Sequence, residues 1–147
     1  MTMHRRPVGR SRFLAAIGAL VALAGCFLPW WSRGGGPDTL TTLSGTGFEG
    51  TGILVFGAAI ATLALVTLPY ASARPVPADR WSSYAIIAGV GWLGFAYRIF
   101  DLSTMRAFAF AEPADVITRI PGLWLAGIGL VILARATYEM LQEPRLR

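Results

Sequence analysis

The chain has no lysine, a single cysteine, Cys26, and a single histidine, His4, in 147 residues. Each shortage excludes something. One cysteine rules out an intramolecular disulfide and a cysteine-based zinc site. With the histidine confined to the N-terminal tail, a bis-histidine haem or a histidine-rich metal centre in an apolar run has no ligands. Serines and threonines in the loop at 32–50 have no histidine or lysine base within reach by sequence, so nucleophilic catalysis there lacks an activator. Gly45, Gly47 and Gly50 make no phosphate loop, since no strand precedes them and no lysine follows. The expectation is a protein without metal or cofactor that is not an enzyme. Charge is scarce too: 14% of residues are charged and 54% hydrophobic. A soluble domain this small leaves much of its surface wet, and lipid removes that conflict.

What is there is a set of four apolar runs. The first, Phe13–Trp31, has no charge and follows a tail, 1–12, that holds Arg5, Arg6, Arg10 and Arg12. Its length suits the roughly 30 Å of hydrocarbon that about 20 helical residues cross. Ala15, Gly18, Ala22 and Gly25 fall on one side of that helix, where small residues let another backbone approach closely. Pro29 ends the helix and Trp30 and Trp31 suit an interface. The second run, 51–70, carries Gly57, Ala61 and Ala64 on one side. The third, 81–102, opens on Trp81 and places Ala85, Gly89, Trp92 and Ala96 together. The fourth, 120–138, has Trp124 near its start, Gly122, Ala126 and Gly129 along one side, and Arg135 snorkelling to the headgroups. The expected fold class is all-α: an integral membrane four-helix bundle, with a Gly-rich first outer loop at 32–50 and a short cytoplasmic tail at 142–147. Within that loop Asp38–Leu43 carries a weak strand signal, and Pro113 suits the start of a short helix in the second outer segment.

Arginine placement checks the topology independently. With four crossings, Arg5, Arg6, Arg10, Arg12, Arg74, Arg80, Arg135, Arg145 and Arg147 share the side of the termini, and only Arg33, Arg106 and Arg119 face the other. Arginine resists translocation, so both termini are expected in the cytoplasm and the chain in a cell membrane, multi-pass. The net charge of +5 therefore reads as topology and lipid contact, with no basic face for nucleic acid.

The string Ala24-Gly25-Cys26-Phe27-Leu28-Pro29-Trp30-Trp31, followed by a loop with Gly45, Gly47, Gly50 and Gly52, resembles small four-helix membrane proteins of actinobacteria, among them the tryptophan-associated transmembrane proteins. The resemblance covers about the first half of the chain. It implies fold and membrane location, and no activity. The claudin-like architecture is similar in shape, but its cysteine pair in the first outer loop is missing here.

Two features of the sequence compete with a plain bundle. Leu23-Ala24-Gly25-Cys26 matches the lipobox of bacterial lipoproteins, which would make Cys26 a lipidation site after cleavage; the apolar Phe27–Trp31 that follows and the length of the run favour an uncleaved span. The other is Arg98 with Asp101 near the end of the third span. A charge at a helix centre costs about 2.5–3.5 kcal/mol on insertion scales, so such residues are candidates for function. Their i,i+3 spacing also permits a purely structural pair. Glu49, Glu112 and Asp115 could join Arg98 at a common mouth, and Arg98, Asp101 and Glu49 form the candidate ligand-binding set. Trp30, Trp31, Trp81 and Trp124 are expected as interfacial anchors. The expected partners are the lipid bilayer and other membrane proteins or further copies of the chain. The resulting function is a non-enzymatic accessory or scaffold subunit of a bacterial plasma-membrane complex, with a small transporter or sensor built on Arg98 and Asp101 as the alternative.

Overall fold

A computed structural model describes residues 9–33, 43–71, 80–108 and 114–142. In order, these form α1 (Arg10–Phe27), β1 (Pro29–Arg33), β2 (Leu43–Thr46), a 3-10 turn at Gly50–Gly52, α2 (Ile53–Ala71), α3 (Trp81–Thr104), α4 (Asp115–Thr118) and α5 (Pro121–Gln142). The protein is mostly helical, and among the described residues four helices are long and apolar enough to cross a membrane. Most of the expected tails at 1–12 and 142–147 and most of the weak strand signal at 38–43 lie outside the described residues.

Each helix boundary has a local cause. α1 starts at Arg10, earlier than the apolar run, and buries Ser11, so Arg10 and Arg12 belong to the helix rather than to a tail. It stops at Phe27 because Pro29 pushes the residue before it out of helical geometry; Leu28 adopts φ −94°, ψ 162°. The chain then enters a short strand, where the end of the first span and a loop were expected: β1 pairs antiparallel with β2, in a register that shifts between Pro29 and Trp31. Proline at the first position of an edge strand forfeits no essential ladder bond. α3 ends in a left-handed turn at Arg106, φ 53°, where Arg106 N–H donates to the Ser103 carbonyl and Ala107 N–H to that of Leu102. These are the two bonds of a Schellman motif, here with arginine where glycine is usual. α5 runs to Gln142, so Arg135 sits inside it and pairs with Glu139 one turn on, at 3.1 Å.

The helices pack in sequence around a shared core, α1 against α2 and α5, α2 against α3, α3 against α5, with α1 and α5 in the most extensive contact. That contact is made by backbone. A Cβ added at Gly18 would lie 2.8 Å from the Leu133 nitrogen, and one at Gly122 would lie 2.6 Å from the Gly25 carbonyl oxygen. Gly25 meets Ala126 and Gly129 meets Ala22 in the same way. The small-residue sides expected on α1 and α5 are therefore both buried. Those expected on α2 and α3 are not: Gly57 and Gly89 face outward with nothing within 4 Å of an added Cβ. α2 instead buries Val55, Ala58, Ala59, Thr62 and Val66, and α3 buries Tyr84, Ala88, Gly91, Phe95 and Arg98.

The size of side chains is inverted between inside and outside. Much of the core is alanine, with Ala15, Ala19, Ala126 and Ala136 all fully buried, while Leu93 is 73% and Ile86 68% exposed. Buried threonines satisfy themselves, Thr62 Oγ1 donating to the Ala58 carbonyl and Thr137 Oγ1 to that of Leu133. Gly18→Ala and Gly129→Ala force two backbones apart, so each should cost about 1–3 kcal/mol, read as a lower melting temperature in detergent, whereas Gly57→Ala should cost nothing measurable. Equal losses at all three positions would contradict the packing.

Candidate functional site

The polar residues collect at the end of the helices that carries the hairpin. Arg98 lies six residues before the end of α3, about 9 Å along the axis, and is 7% exposed. Its Nη1 donates to Asp101 Oδ2 at 2.8 Å and its Nη2 to Glu49 Oε2 at 3.3 Å. The same Glu49 oxygen accepts from Trp31 Nε1 at 2.9 Å. One buried cation thus joins two carboxylates, one on its own helix and one on the segment after the hairpin, and an indole from β1 braces the second.

Two glycines make this junction possible. Gly50 has φ +57°, a left-handed conformation that suits glycine, and an added Cβ there would lie 3.1 Å from Arg98 Nη1. A side chain at Gly45 would occupy the space where Trp31 Nε1 and the Glu49 carboxylate meet. Two further ties hold the same end together. Thr51 Oγ1 donates to the Gly94 carbonyl at 3.1 Å, and Arg33 Nη2 donates to the Met105 carbonyl.

Of the residues singled out from sequence, Arg98, Asp101 and Glu49 meet. Asp115 does not join them; it pairs with Arg119 at 3.3 Å. Glu112 lies outside the described residues. Trp30 departs from the interfacial role expected of it. It is fully buried, donates from Nε1 to the Gly25 carbonyl at 2.9 Å and packs edge-on against Phe95 with centroids 5.7 Å apart. It fills the space under the hairpin because the helix ends at Phe27, which puts position 30 on the strand's inner face. Trp31, Trp81 and Trp124 keep at least partial exposure, and Trp124 Nε1 donates to the Val116 carbonyl, pinning α4 to α5. Cys26 is buried in the core, in a helix that continues on both sides of Gly25. Sequence reasoning missed Trp31 and Arg33 as members of the polar junction. Their alternation with the buried Trp30 and Ser32 along β1 was the available signal, hidden by reading Trp30 and Trp31 as one helix end.

Among the described residues no three of histidine, cysteine, aspartate and glutamate are grouped to hold a metal ion. What the junction does chemically is compensate charge: Arg98 is buried only because two carboxylates accept from it. No family model, no curated protein and no solved structure matches the chain, so its geometry carries the functional argument. Arg98→Ala leaves two carboxylates facing each other, and removing one member of a buried pair costs about 3–5 kcal/mol. Glu49 is half exposed, so Glu49→Gln should cost under about 1 kcal/mol, with Asp101→Asn between them. Thermal melts in detergent give the order; an Arg98→Ala protein as stable as the parent would show that the charge is not buried.

Proposed function

We propose that the protein is an integral four-helix bundle of a bacterial plasma membrane, with both termini cytoplasmic, and that it acts as a non-enzymatic accessory or scaffold subunit whose helices pack against another membrane protein. The inverted distribution of side-chain size supports the membrane setting. Large apolar side chains on the outside and alanine and glycine on the inside suit a solvent of lipid, in which close packing replaces the hydrophobic drive between helices. The arginine bias supports the orientation.

The observation that carries the scaffold reading is the fate of the small-residue sides. Those of α1 and α5 are consumed inside the protein. Gly57 and Gly89 remain on the outside of α2 and α3 with open space before them, where a partner helix could approach as closely as α1 approaches α5. The transporter or sensor reading draws less support, because both carboxylates that Arg98 engages come from its own chain and already offset its charge. Lipidation of Cys26 draws less support as well, since cleavage before it would remove most of the helix that packs on α5.

Gly57→Leu and Gly89→Leu test the scaffold reading, because an added Cβ at either position has open space before it. Expected is loss of co-purifying protein from native membranes in mild detergent, with helix content and melting temperature at parental values. Recovery of the parent only as a bare monomer, or undiminished co-purification of both variants, would count against it.

A further inference from the structure

Between α3 and α5, toward the hairpin end, lies an open groove of about 370 Å³. Its walls are apolar throughout and include Trp92, Phe95, Ile99, Trp124, Ile128 and Val131. We propose that this groove holds one acyl chain of an anionic phospholipid, whose phosphate lies against Arg106 and Arg119 at its mouth.

Length decides between a chain and a helix as occupant. Along α3 the groove runs from Trp92 to Ile99, and along α5 from Leu123 to Ile132. At 1.5 Å per residue these spans are about 10 and 13 Å. That matches the hydrocarbon depth of one leaflet, about 15 Å, and is well short of the roughly 30 Å that a crossing helix needs. The walls point the same way. A docking helix needs small residues in its path, and the one glycine here, Gly127, is already covered by the Phe95 ring, 3.1 Å from where its Cβ would be. Flexible methylenes can follow a bulky indole and isoleucine surface that a second helix cannot.

The mouth supplies the charge. Arg119 lies two residues before α5 and pairs with Asp115, on the segment whose Val116 carbonyl accepts from Trp124, a wall of the groove. Arg106 stands two turns beyond Ile99, and is exposed. Its left-handed backbone, φ 53°, is a conformation that glycine adopts without strain and arginine does not. The adjacent Met105 carbonyl also draws in Arg33. A strained cation kept at the surface, with Arg33 drawn to the residue before it, fits a phosphate better than it fits the turn.

Native mass spectrometry of the full chain, released from nanodiscs of equal phosphatidylglycerol and phosphatidylcholine, tests this. The parent should retain one phosphatidylglycerol in preference to phosphatidylcholine. Val131→Trp fills the groove from an exposed position without touching the core, and should retain about tenfold less lipid. Arg106→Gln with Arg119→Gln should keep a bound lipid and lose the preference for phosphatidylglycerol. Equal retention of both lipids by the parent, undiminished retention by Val131→Trp, or a dimer that Val131→Trp abolishes would each overturn the proposal. Gly57→Leu lies away from the groove, so failure of the scaffold reading would leave this readout unchanged.

Discussion

Backbone contact between α1 and α5 is the constraint on which the other helices depend. Gly18, Ala22 and Gly25 on one helix meet Gly122, Ala126 and Gly129 on the other closely enough that no side chain fits between them. Such an approach makes many weak contacts at once, including those of Cα–H groups with carbonyl oxygens. It also fixes the axial register of the pair, since a shift of one residue would place an alanine methyl where a glycine now gives way. α2 and α3 close around this pair with larger residues, Val55, Phe95 and Tyr84, which tolerate more varied geometry.

The end carrying the hairpin is where polar groups enter the fold, and they gather around Arg98, whose buried Nε has no hydrogen-bond partner. Arg98 draws Glu49 and Asp101 to itself, Trp31 donates to the same Glu49 oxygen, and Arg33 ties β1 to the end of α3. The hairpin is thereby fastened to α3 by charge and to α1 by Trp30, whose indole caps the Gly25 carbonyl just where the tight helix contact begins. A hairpin bound this firmly presents a fixed surface at its end of the helices.

Much of this is legible in the residues alone, and the exceptions share a physical cause. The four apolar runs and the i,i+3 pairing of Arg98 with Asp101 follow from local length and spacing. So do the packed sides of α1 and α5, because those helices carry enough glycine to mark one face. On α2 and α3 alanine and glycine occur on several faces, and periodicity does not say which face a neighbour will cover; Ala58 and Gly91 are buried where Gly57 and Gly89 are not. The hairpin was obscured by hydropathy, since Pro29, Trp30 and Trp31 continue an apolar run while Pro29 forbids the helix that the run suggests. The pairing of Glu49 with Arg98 spans 49 residues, and no local rule reaches that far.

A membrane setting requires that the large apolar side chains on the outside of the helices face hydrocarbon. Nitroxide labels report this directly. In a Cys26→Ser background reconstituted into liposomes, a single cysteine in place of Leu93, labelled and compared with one in place of the exposed Ser103, gives collision rates with oxygen and with a water-soluble nickel chelate. The label at Leu93 should collide often with oxygen and seldom with nickel, and the label at Ser103 should show the reverse balance. Nickel collisions at Leu93 as frequent as at Ser103 would place that face in water and contradict the account.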